Sequence, residues 1–176
     1  MKKSTVIVRW GIITAIVMSL FSYVMYATGA SFTNKSLSYL SYVIMLGGMI
    51  MAMRQFRDKV NGGYASFGEQ YKIGILMVLI ISAITTIYFL IFLQLSPDFI
   101  TKMMEQSQAD MVNKGMSSEQ IEMAMKYTKM FMTPVMMMIF GFLGNTIVGA
   151  IVGLLAAGIS AKAKPFMQED NNTPIA

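Results

Sequence analysis

Four stretches of this chain, residues 10–28, 37–53, 73–95 and 134–160, contain no Asp, Glu, Lys or Arg. Hydrocarbon offers a backbone no hydrogen-bonding partners, so an apolar run that enters it must satisfy its own N–H and C=O groups by forming a helix. A core about 30 Å thick takes about 20 residues at 1.5 Å each. The third and fourth runs exceed that length, and the second is at its short end. The expectation is an all-α integral membrane four-helix bundle. It forms one four-span domain over residues 1–164, followed by a flexible cytoplasmic tail at 165–176. Composition agrees: 55% of residues are hydrophobic and 13% are charged, where soluble domains run near a quarter charged.

The charges between the runs set orientation. The N-terminus, the 54–72 loop and the tail carry nine of the 14 basic residues and four of the nine acids. Lys35 and the 96–132 segment hold the remainder in equal number. Basic loops stay in the cytoplasm, which places both termini on the cytoplasmic side of the membrane. Arg54, Arg57, Lys59 and Lys72 are expected at the lipid headgroups, their stems lying along apolar surface. The net charge of +5 therefore points to lipid and not to nucleic acid. A cleaved signal peptide is the rival reading of the first run, with Ala27 and Gly29 as the cleavage site. The run is longer than a signal h-region of about 7–15 residues and ends in bulky Tyr23 and Tyr26, which suit an interfacial anchor.

Missing residue types narrow the chemistry. Without histidine or cysteine there is no thiolate site, no histidine base and no histidine-ligated zinc. No run holds the ionisable residue that proton-coupled transporters keep as a relay. No catalytic, cofactor-binding or metal-binding residues are expected, and no enzymatic activity. The 20 methionines suggest thioether ligation of Cu(I). Met49, Met51 and Met53, however, lie two apart, about 200° around a helix, and do not converge on one ion. Methionine as filler of irregular apolar gaps is the expected role.

Local signals mark the element ends. Asn61-Gly62-Gly63 reads as a turn, and Ser66 with Glu69 as a capping box opening the third long helix. Ser96-Pro97-Asp98 reads as a helix start, with Ser96 as the capping hydroxyl. Lys114-Gly115 ends that helix, and Ser117 with Gln120 opens the next. Ile100, Met104, Ser107 and Met111 share one face of the first helix. Ile121, Ala124, Met125, Thr128, Phe131 and Met132 line the second. This is an extracytoplasmic amphipathic hairpin between the third and fourth spans, resting on the membrane or on the bundle.

In the last span Gly141, Asn145, Gly149, Gly153, Ala157 and Ala161 recur every four residues. Small residues at that spacing let another helix approach closely, with Asn145 bonding across; Gly11, Ala15 and Ser19 form a shorter row. The row is expected to be the packing seam of the bundle, with a dimer seam as the alternative. A pore or solute site lined by Asn145, Ser82, Thr85 and Thr86 is a third reading.

Several motifs also resemble a known family. They are Arg54-Gln55-Phe56-Arg57-Asp58 leading into Gly62-Gly63-Tyr64-Ala65-Ser66-Phe67-Gly68-Glu69, then a helix containing Gly74, then Ser96-Pro97-Asp98-Phe99. Ser117-Ser118-Glu119-Gln120-Ile121-Glu122 and a Gly-rich last span follow. Over roughly residues 5–163 the chain resembles the bacterial domain-of-unknown-function 4199 family, small four-helix membrane proteins seen mostly in Bacteroidetes. The resemblance implies a bacterial inner-membrane protein and supplies no activity and no site residues. The functional expectation is a non-enzymatic scaffold, assembly factor or accessory subunit. Its partners would be the lipid bilayer and another membrane protein or a second copy of itself. A small channel or transporter for an uncharged or weakly interacting solute is the alternative.

Overall fold

Each apolar run becomes part of a helix, and the polar residues beside it fix where that helix begins and ends. The computed structural model describes residues 2–33 and 35–164; the 165–176 tail, expected to be flexible, lies outside them. The long helices are α1 (Lys3–Ala27), α4 (Leu40–Lys59), α5 (Phe67–Leu95) and α8 (Pro134–Ser160). Two single turns, α2 (Ala30–Thr33) and α3 (Lys35–Ser38), join α1 to α4. Helices α6 (Asp98–Asn113) and α7 (Ser118–Phe131) lie between α5 and α8. No strand occurs among the described residues; Ala65 and Lys162 form one isolated antiparallel bridge.

Capping follows the sequence signals with one exception. In both expected boxes the serine hydroxyl accepts from the third residue's N–H, and the partner side chain accepts from the serine N–H: Ser66 with Glu69, and Ser117 with Gln120. The end of α6 is a Schellman motif, with Gly115 at φ +73°, its N–H donating to Val112 and that of Met116 to Met111. Ser96 does not cap α6. Its N–H closes α5 on the Phe92 carbonyl and its own carbonyl accepts from Phe99, so α6 begins after Pro97 without a side-chain cap. Thr133 caps α8 on the Met136 N–H, with Pro134 following at the first position, where a missing N–H costs nothing.

Three helices, α1, α5 and α8, are long and apolar enough to cross a membrane. Their outer faces are apolar as well. Ile16 and Leu20 on α1, Ile87 and Ile91 on α5, and Ile147, Ile151 and Leu155 on α8 are all exposed. Only 11% of the most apolar window of α8 is buried, an arrangement that suits lipid and not water. Helix α4 falls outside this group. It starts at Leu40, three residues later than its apolar run, and ends in Arg54, Arg57, Asp58 and Lys59. Its uncharged part rises only about 21 Å at 1.5 Å per residue.

Helix α1 packs on α4 and α5, and α8 packs on the same two helices. Glycines sit at the closest approaches. A β-carbon on Gly149 would lie 2.7 and 2.9 Å from the Val78 methyls, and one on Gly11 would lie 2.9 Å from Ile80 Cγ2. On Gly48 it would strike the Thr14 hydroxyl. A β-carbon on Gly74 would stand 3.4 Å from the Gly153 Cα, so α5 and α8 meet there backbone to backbone. The wholly buried core beside these crossings consists of Met45, Met49, Met53, Ile73, Met77 and Ile81. Methionine fills the spaces that the crossings leave.

Helices α6 and α7 pair with each other and bury no residue completely. Met104 and Val112 of α6 and Ile121 and Met125 of α7 line the cleft between them. Phe131, expected on one side of α7 with Ile121 and Met125, is 54% exposed and meets Phe140 of α8 edge-on at 5.9 Å.

Paired glycine substitutions test these crossings. Leu at Gly149 or Gly48 is expected to cost about 1–3 kcal/mol by overpacking. Leu at Gly144 or Gly47, where an added β-carbon meets nothing within 4 Å, is expected to stay within about 0.5 kcal/mol. Thermal unfolding of purified protein in detergent provides the comparison, and equal stability within each pair contradicts the packing described here.

Candidate functional site

Polar side chains gather in two places, at one end of the long helices and in the half of the bundle nearer the α6–α7 hairpin, with Thr14 buried between. At the end where α1 starts and α8 finishes, the terminal end, Gln70 is completely buried. Its amide donates to the Met53 carbonyl at 3.2 Å and to the Ser160 carbonyl at 3.5 Å. Arg57 donates from Nη1 to that same Ser160 carbonyl at 3.0 Å. The last carbonyls of a helix lack intrahelical partners and carry the negative end of its dipole, so Arg57 and Gln70 close α8 from two other helices. A second pair of Arg57 bonds, at 2.7 and 3.1 Å, holds the Asp58 carboxylate. The guanidinium keeps that carboxyl below its ordinary range. Trp10 donates to Gln55, and Lys3 lies 5.3 Å from the centre of the Phe56 ring. These contacts and the Ala65–Lys162 bridge gather the chain's start, the 54–72 loop and the end of α8 at one end of the molecule.

Of the four residues expected at lipid headgroups, Arg54, Lys59 and Lys72 are exposed and Arg57 is half-buried. Arg57 therefore has structural work that reaches across 103 residues of sequence, which no local pattern announces.

The half of the bundle nearer the α6–α7 hairpin holds a cavity of about 320 Å³. Helix α1 contributes Met18, Ser19 and Ser22 to its lining, and α4 contributes Ser41. Thr85, Thr86, Tyr88 and Phe89 come from α5, and Met137, Met138, Gly141 and Asn145 from α8. Asn145 directs its amide toward Ser82 Oγ at 3.3 Å and Thr85 Oγ1 at 3.5 Å. Ser82, itself completely buried, lies 3.1 Å from Thr146 Oγ1, whose own proton goes to the Phe142 carbonyl at 2.7 Å. The Ser19 hydroxyl is buried without a hydrogen-bond partner, and the Tyr88 hydroxyl is buried with that of Ser22 beside it. Phe89 also joins an aromatic cluster with Phe92, Phe99 and Tyr26, in which Tyr26 meets Phe92 edge-on at 4.9 Å. That cluster ties the start of α6 to the ends of α1 and α5.

The structure divides the small-residue row of α8. Gly149, Gly153 and Ala157 are buried, and Asn145 is half-buried in the polar network. Gly141 is exposed at the cavity, where an added β-carbon would meet nothing within 4 Å. Asn145, Ser82, Thr85 and Thr86, the lining of the third reading, lie near one another. Ser41, Ser22 and Tyr88 carried no signal in the sequence, because single hydroxyls on three separate helices become neighbours only when those helices pack.

The model of one family, described as a protein of unknown function (DUF4199), matches residues 9–162. The chain belongs to the DUF4199 family. That match takes in all four long helices from Arg9 onward and both ends described above. Among curated proteins and among solved structures, nothing matches the chain. DUF4199 membership brings no activity with it, so the chemistry rests on the residues themselves.

The terminal-end contacts set an expectation for Arg57. Arg57→Gln is expected to lower stability by about 1.5–3 kcal/mol, the range for a hydrogen bond to a charged group, towards the lower figure because the side chain is 19% exposed. Arg54→Gln, on the exposed side, is expected to change stability by less than about 0.5 kcal/mol. Thermal unfolding in detergent measures both, and equal effects would mean that Arg57 only faces solvent or lipid.

Proposed function

We propose that this DUF4199 protein is a non-enzymatic component of the bacterial inner membrane, a scaffold or accessory subunit that spans the bilayer four times. In this reading α4 is the fourth span of a four-helix bundle. Its Arg54, Arg57 and Lys59 lie at headgroup level and make up the length that its apolar part lacks. Both termini lie in the cytoplasm. The concentration of nine basic residues on the terminal end supports that orientation. The hairpin then lies outside, with Met123, Tyr127 and Met130 on an exposed face of α7 and Lys126 and Lys129 beside them.

One observation favours a structural role over transport. Between the cavity and the Gln70–Ser160 cluster the interior is filled mainly by Met45, Met49, Met53, Met77 and Ile81, all completely buried, with Thr14 beside Gly48 as a lone buried hydroxyl among the described residues there. A pathway for a hydrated solute requires polar groups or water across that depth. The chain's lack of histidine and cysteine supports a non-enzymatic reading.

Two measurements test this proposal. Reconstituted protein is expected to leave glycerol flux into liposomes at the rate of empty liposomes, while purification from native membranes in mild detergent yields a stoichiometric partner. Glycerol flux that saturates, from protein that purifies alone, would replace the scaffold with the channel. For orientation, the chain has no native cysteine. A cysteine at Lys114 is expected to react with an impermeant thiol reagent in intact cells, and one at Ser4 to resist it; the reverse pattern inverts the topology.

A further inference from the structure

We propose that the hairpin-end cavity binds a small neutral amphiphile: an apolar body carrying one hydroxyl or carbonyl group. This goes beyond the scaffold reading and holds whether or not a partner exists. About 320 Å³ is the lower end of the range for small-molecule sites, roughly 300–1,000 Å³. Among the described residues no Asp, Glu, Lys or Arg lines the cavity, so a charged ligand would enter a low-dielectric site without a counter-charge. Met18, Met137, Met138 and Phe89 offer a wall that adapts to an apolar body, because methionine has three rotatable bonds and a polarisable sulfur. Within the same wall, Ser19 Oγ is buried with no hydrogen-bond partner, and Tyr88 Oη is buried with the Ser22 hydroxyl beside it. A buried hydroxyl without a partner is costly, and an uncharged ligand oxygen, which both donates and accepts as an alcohol, satisfies it. The Asn145 amide, by contrast, is already engaged by Ser82 and Thr85 and serves as part of the fixed floor. Dispersed hydroxyls, absent charge and flexible apolar walls together select amphiphiles over sugars, ions and fully apolar hydrocarbons.

The probe is a photoactivatable diazirine analogue of 1-octanol, applied to the full-length protein in lipid nanodiscs, with labelled residues mapped by mass spectrometry. Labelling is expected to concentrate in residues 18–22 and 137–145 and to be suppressed by excess 1-octanol more strongly than by n-octane. Gly141→Phe is the blocking variant. An added β-carbon there has open space, so the ring enters the cavity, and the variant is expected to lose this labelling while keeping the wild-type unfolding temperature. Ser19→Ala is expected to reduce the advantage of octanol over octane by about twofold to tenfold, the equivalent of one neutral hydrogen bond. Label spread over outward-facing residues such as Ile16, Ile91 and Ile151, without competition by octanol in the wild-type protein, overturns the proposal. So does cavity labelling that Gly141→Phe leaves unchanged. The competition experiment needs no variant, so it decides the matter even where a substitution harms folding. A cavity filled by water alone gives the uncompeted result.

Discussion

Contact between helix backbones at glycine is the constraint on which this structure rests. In hydrocarbon, apolar side chains gain nothing by leaving one apolar surrounding for another, so helices hold together through close packing and a few hydrogen bonds. Here α5 and α8 meet at Gly74 and Gly153, with a prospective β-carbon on one only 3.4 Å from the Cα of the other. Gly149 against Val78 extends the same crossing, and Gly11 against Ile80 and Gly48 against Thr14 serve the neighbouring ones. Each contact removes a side chain from one helix so that a neighbouring side chain or backbone can occupy its place. The bulky methionines then fill the interior around the crossings.

That packing decides where polar chemistry resides. Close helix contact and methionine fill much of the interior, and most hydrogen-bonding groups collect in two places, with Thr14 buried between them. At the terminal end they tie helices together: Gln70 and Arg57 converge on the Ser160 carbonyl, one group from each of two helices closing a third. At the hairpin end the helices leave a cavity in which some hydroxyls pair with one another and the Ser19 hydroxyl does not. Both regions keep unused hydrogen-bonding capacity, Gln70 Oε1 and Ser160 Oγ at the terminal end and Ser19 Oγ at the other. The aromatic cluster of Tyr26, Phe89, Phe92 and Phe99 connects the second end to the hairpin.

Much of the fold could be read from the sequence because local physics determined it. The starts of α5 and α7 are capping boxes whose two bonds lie within four residues, and Gly115 ends α6 because only a left-handed residue completes its Schellman motif. Apolar length alone identified α1, α5 and α8. Helix α4 was harder, since a short apolar run ending in three basic residues and an acid carries weaker evidence of a span. Ser96 resembled an N-cap, yet its backbone was needed to finish α5. The tertiary features were the least legible. Periodicity displayed the α8 row but not which of its members would be covered: Gly149 and Gly153 meet α5, while Gly141 opens on the cavity. Gly48 stands beside Gly47 with nothing in the sequence to distinguish them, and only the position of Thr14 separates their roles. The cavity itself is a space between four helices, and no single helix encodes it.

The central claim is that the small residues of α8 pack against α5 of the same chain and not against a second copy. Cysteines at Val78 and Gly149 test it directly, because a β-carbon on Gly149 would lie 2.7 Å from a Val78 methyl, within reach of disulfide geometry. The background is free of cysteine. After mild oxidation in native membranes, the double variant is expected to migrate as a monomer on non-reducing electrophoresis, with peptides containing residues 78 and 149 linked in its digest. Disulfide-linked dimers, with the Gly149→Cys single variant also dimerising, would move the seam to the surface of the molecule and contradict this account.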